Sequence, residues 1–121
     1  MKASDLTETE RLALMALLKL AISADEQLSE GESKVLLRIA DEMGRGAFKA
    51  VREQAQGTLK TFDDLKRAVA AVHRPEARRM LYQCALDAAQ ADALVAKERE
   101  RLNWVAQQWD LDVDPRTAKL R

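Results

Sequence analysis

The sequence is short of the residues from which disulfide and zinc chemistry are built. Its 121 positions hold one cysteine, Cys84, and one histidine, His73. A single cysteine excludes an internal disulfide framework and fits a reducing compartment. With only one histidine beside it, a structural zinc site of the usual composition is excluded too. Glycine (4) and proline (2) are scarce, so the chain has little of the punctuation that turn-rich β folds need. An excess of either charge is also missing. Twenty basic side chains face twenty acidic ones, and zero net charge exerts no global pull on nucleic acid or an anionic membrane. No apolar run reaches the roughly 18–20 residues that span a bilayer, because Lys19, Asp25 and Glu26 interrupt the best one. The opening MKASDLTETE lacks the apolar core of a signal peptide. These absences predict a cytoplasmic protein that meets a membrane only through a partner. The length predicts one domain over 1–121, since domains commonly run about 100–150 residues.

What is present is Ala, Leu, Glu, Lys, Arg and Gln, the composition of an all-α chain. The predicted architecture is a compact bundle of about six helices. Thr7-x-x-Glu10 reads as a capping box that opens a helix to about Ala24. Leu14, Leu17, Leu18 and Ala21 form its stripe, which Leu12, Met15, Leu20 and Ile22 extend almost all round, so this helix is predicted to be central and buried. Ser29-x-x-Glu32 opens a second helix with Leu36, Ile39, Ala40 and Met43 at core spacing, ended by Gly44. A shorter helix runs from Gly46 to about Gln56, closed by Gly57. Thr61 caps a fourth that carries Leu65, Val69 and Val72, and Pro75 opens a fifth with Leu81, Cys84, Ala85 and Ala88 on one face. The last helix covers about Ala96 to Trp109 and buries Leu102, Val105, Ala106 and Trp109. The core is thus placed at about 6–112, with 113–121 a frayed basic tail.

A repeat is visible when the segment from Ala21 is set over the segment from Ala88. Ala24-Asp25 falls on Ala91-Asp92, Leu28 on Val95 and Val35 on Leu102. Each copy reads as helix, Ala-Asp, a short loop with one apolar plug, then an acidic helix start. The pattern predicts a pseudo-repeat of two helical hairpins joined by the two shorter helices.

The first copy, with Ala24-Asp25, Leu28, Ser29 and Glu32 before VLLRIADEMG, resembles the tellurite-resistance TerB-like family. The second copy supplies the family's later hairpin as Ala91-Asp92, Val95 and KERERLNWVAQQWDL. The resemblance covers roughly Leu6 to Leu111. It departs from the family where glycine usually follows the aspartate, since Glu26 and Ala93 stand there, and Arg99 occupies the acidic place of the second copy. The resemblance implies an all-helical, non-enzymatic domain of bacterial tellurite-resistance and stress-response systems. It also implies a metal-linked role for the acidic residues, and relatives placed beside co-chaperone modules.

The chemistry open to these residues is narrow. Hard divalent cations take several oxygen ligands, so Asp25, Glu32, Asp92, Glu98 and Glu100 are the candidate metal ligands, with calcium, magnesium or manganese the kind of cofactor they suit. The competing reading is helix caps and first-turn carboxylates that answer the helix dipole. No calcium loop of the EF-hand type, phosphate loop or Ser-His-Asp order is present, so catalysis is not expected. His73 reads as a cation at a helix end. Cys84 reads as a buried, inert thiol, and Asp87 either faces an Arg or marks an exposed edge. Arg78-Arg79, Lys97, Arg99 and Arg101 alternate with Glu76, Glu98 and Glu100, the pattern of a solvated helix face rather than a nucleic-acid stripe. The rival function is an adaptor that binds another protein, or a second copy of itself, through an aromatic patch at Trp104.

Overall fold

A computed structural model describes residues 1–21, 30–91 and 96–121. Among them the chain forms a short 3-10 turn at Ala3–Asp5 and six α-helices: α1 Glu8–Ala21, α2 Glu30–Met43, α3 Arg45–Thr58, α4 Phe62–Ala70, α5 Pro75–Gln90 and α6 Ala96–Gln108. The fold is all-α, and none of these helices is long and apolar enough to cross a membrane.

α1 occupies the centre because apolar residues run almost all round it, leaving only Glu8, Thr9 and Lys19 exposed. From Ala13 to Leu18 every side chain is buried, as are Leu20 and Ala21, and α3, α4, α5 and α6 pack around it. Its start is fixed by the capping box read from the sequence: Thr7 Oγ1 accepts from the Glu10 amide at 3.2 Å, and Glu10 accepts from the Thr7 amide at 2.9 Å. Thr61 and Asp64 make the same reciprocal pair at the start of α4. Gly44 ends α2 with φ at +102°, a conformation in which a side chain would be strained. The Ser29 cap predicted for α2 lies outside the described residues.

Three expectations are corrected. α3 is not closed by Gly57 but continues to Thr58, and the amide of Leu59 still donates to the Ala55 carbonyl at 2.8 Å. The chain needs only Lys60 to reach the next cap, so the helix has no reason to stop at the glycine. α4 ends at Ala70, and Val72 reaches the core from the connection beyond it. The tail is not frayed. The Tyr82 hydroxyl donates to the Ala118 carbonyl at 2.5 Å, Asn103 donates to the Pro115 carbonyl at 2.9 Å, and Val113 and Leu120 pair as an isolated antiparallel bridge. Ala118 is fully buried. A buried tyrosine needs a partner for its hydroxyl, and the tail carries that partner.

The two hairpins of the predicted pseudo-repeat are unlike in packing. α5 and α6 lie against each other, whereas α2 packs chiefly on α5 and α3 rather than on α1.

Candidate functional site

The acidic segments predicted as the site precede α2 and α6, and contacts among the described residues show what surrounds the starts of those helices. Gly31, in the first turn of α2, lies so close to the end of α5 that a Cβ on it would stand 2.8 Å from the Ala91 carbonyl oxygen. Arg101 of α6 donates to the Leu20 carbonyl at 3.2 Å, and Lys19 donates to the Leu59 carbonyl at 3.1 Å. Both cations sit on carbonyls near a helix C-terminus, where backbone acceptors are left over and positive charge is favoured. The start of α2 is thus set on the end of α5, and the end of α1 is tied to α6 and to the end of α3.

Of the five candidate ligands, Asp25 and Asp92 lie outside the described residues. Glu32 is half-buried on α2, Glu98 is 6% exposed on α6, and Glu100 is exposed. Glu32 and Glu98 both have interaction partners. Among the described residues no three His, Cys, Asp or Glu side chains stand close enough together to hold a metal ion. The described residues alone therefore do not supply a metal site at this end.

The other sequence candidates fall on the structural side. Cys84 is half-buried, and burial, with Asp87 and Glu42 adding to it against Arg38, pushes its thiol up to about 11. A thiol held protonated is a poor nucleophile. Asp87 does face an Arg: it accepts from Arg38 at 3.1 Å and from Gln83 at 2.8 Å. His73 is exposed in the connection between α4 and α5. Trp109 is in the core, and its Nε1–H donates to the Val69 carbonyl at 2.9 Å. Trp104 is half-buried, with the Lys66 ammonium 5.8 Å from its ring and 4.7 Å from that of the half-exposed Phe62.

Sequence reasoning missed the ion pair that a buried carboxylate makes with Arg74. Glu10 is 4% exposed, and Arg74 reaches it with Nε at 2.8 Å and Nη2 at 2.5 Å while also donating to the Asp5 carbonyl at 3.2 Å. The hydrogen bond from Arg74 is the main reason the Glu10 carboxyl is held below the usual carboxylate range, with help from the Thr7 amide and against desolvation. Lowering in the folded state stabilises the fold while Glu10 is ionised, and that contribution fades as pH falls through its folded value. Arg74→Ala should therefore be less stable than the parent at neutral pH, and the gap should narrow on acidification. Urea midpoints measured from pH 7 downward check this, and a gap that stays constant would contradict it.

The geometry of the bundle can be set beside known proteins. A family model described as tellurite resistance protein TerB matches residues 11–118. The chain belongs to the TerB family. Its match takes in α1 through α6 and most of the docked tail, so the TerB domain here includes the segment that covers Tyr82. No curated protein and no solved structure matches the chain.

Proposed function

We propose that this TerB domain acts in a tellurite-resistance or stress response as a non-enzymatic module, and that its working surface is the end of the bundle where the start of α2 meets the end of α5. The observation that carries this reading is the approach of Gly31 to Ala91, which sets the start of α2 directly against the end of α5. In the sequence, Asp25 precedes α2 and Glu32 lies in its first turn, while Asp92 precedes α6 and Glu98 and Glu100 lie in its first turns. Oxygen donors supplied from two loops suit a hard divalent cation better than they suit zinc.

The test is thermal unfolding of chelator-treated protein, repeated with calcium, magnesium, manganese and zinc added one at a time. Ion binding to the folded state alone raises Tm by mass action. The expected result is a rise of several degrees with one of the hard ions, abolished in the Asp25→Asn/Asp92→Asn double variant. No rise with any ion would refute the metal version. The acidic residues would then be caps, and the adaptor reading would stand on the Phe62–Lys66–Trp104 patch, where a half-exposed ring lies beside a cation.

A further inference from the structure

Charge is shared unevenly along this chain. Residues 44–72, which hold α3, α4 and the turn between them, carry six basic side chains and three acidic ones, so within a chain of zero net charge this stretch is basic. Two of the six are engaged: Arg45 pairs with Asp41 at 2.8 Å, and Arg67 with Asp64 at 2.7 Å. Lys49, Arg52, Lys60 and Lys66 are exposed and have no ion-pair partner among the described residues. The stretch sets only two unpaired carboxylates against them, Glu53 and Asp63.

An apolar anchor lies in the same place. Phe62 opens α4 and is 50% exposed, the one aromatic ring that the fold leaves outside. The helix does not need it there, because Thr61 and Asp64 cap α4 while Leu65 and Val69 turn to the core. The Lys66 ammonium rests on both the Phe62 and Trp104 rings at the distances given above. A ring that offers apolar area, surrounded by ammonium groups that offer charge, matches a segment that is itself acidic and apolar. Other occupants fit less well. Single-stranded nucleic acid stacks its bases on open ring faces along a cationic track, whereas here Lys66 lies on both rings and Glu53 and Asp63 interrupt the track. A lipid surface takes up several large apolar side chains together, and Phe62 has no such companions on α4.

We infer that the corner between α3 and α4 docks a short acidic segment of a partner protein. An apolar side chain of the segment covers Phe62, its carboxylates meet Lys60 and Lys66, and Lys49 and Arg52 steer its approach. This names the partner for the surface on which the adaptor reading stands, and it requires no metal. Measuring it with chelator present keeps its failure separate from failure of the metal reading.

The probe is a dye-labelled peptide of glutamates around one leucine, titrated with the full chain and followed by fluorescence anisotropy at about 50 and 200 mM salt. Binding should saturate at the lower salt and weaken at the higher. Phe62→Ser and Lys60→Glu/Lys66→Glu should each weaken it about tenfold while retaining the parent's circular dichroism. Asp63→Asn, which removes the carboxylate beside the ring, should tighten it. A peptide with serine in place of the leucine should bind the parent and Phe62→Ser equally poorly. Failure to saturate at the lower salt, or full affinity in Phe62→Ser, would overturn the inference. So would tighter binding of an oligothymidine or of phosphatidylserine vesicles than of the peptide. Self-association of the chain that is lost in Phe62→Ser, read by sedimentation velocity, would give the surface to a second copy instead.

Discussion

Trp109→Ala should remove about 3–5 kcal/mol of stability, the range for truncating a buried tryptophan. Small domains hold only about 5–15 kcal/mol in total, so the variant should sit near the edge of folding. Its Tm should fall on the order of 10–20 °C. The size of the effect comes from position. Trp109 stands one residue beyond α6, is 3% exposed, and ties that helix to the end of α4 through its bond to the Val69 carbonyl. Trp109→Phe separates the two contributions, since it keeps most of the apolar volume and leaves the Val69 acceptor unpaired, a loss of about 1–3 kcal/mol. Urea unfolding followed by circular dichroism measures both. A cost below about 1 kcal/mol for the alanine variant would show that α4 and α6 are held together by something other than this side chain.

The second large effect reverses a familiar rule. Alanine in place of glycine within a helix ordinarily gains up to about 1 kcal/mol. Gly57→Ala should follow that rule, since its Cβ would enter open space. Gly31→Ala should do the opposite. Its Cβ would meet the Ala91 carbonyl oxygen at 2.8 Å and the Ala91 Cβ at 3.1 Å, and backbone cannot swing aside as a flexible side chain can. Overpacking of this kind costs about 1–3 kcal/mol, so Gly31→Ala should be less stable than the parent and Gly31→Leu should lose about 2–3 kcal/mol. Opposite signs for the two alanine variants in one thermal-unfolding series are the expected result. Equal gains would mean that α2 and α5 do not meet as closely as described.

The helices were readable because their signals are local. Thr7-x-x-Glu10, Thr61 with Asp64, Gly44 and Pro75 each act within one turn, and each stands where it was placed. The burial of α1 followed from apolar residues on all its sides, which is a property of one helix alone. Contacts between distant segments were another matter. Arg74 sits at a helix boundary with nothing nearby to mark it, and only its meeting with Glu10, sixty-four positions away, gives it a role. Even so, a hint was present. Glu10 lies one turn before Leu14, and Glu98 one turn before Leu102, so each continues the buried stripe of its own helix. A glutamate in such a place needs a partner, and Glu10 shows how far away that partner can be. The tail misled because RTAKLR is basic and lacks large apolar residues apart from Leu120, while the feature that anchors it is a backbone carbonyl that any residue would carry. Of the predicted acidic end, the described residues show only that the start of α2 lies against the end of α5, a closeness that depends on the absence of a side chain at Gly31 and that no local pattern announces.

The central position of α1 also has a consequence for how the protein is made. α1 is translated before all of the helices that cover it, and the contacts that close over it come from residues as late as Arg101. At about 5–20 residues per second, synthesis leaves on the order of several seconds during which the nascent helix is complete but uncovered. A segment reading ALMALLKLA is then a ready client for any holdase at the ribosome exit. The demand for such help should rise as elongation slows, and most of all when translation pauses between α1 and α5.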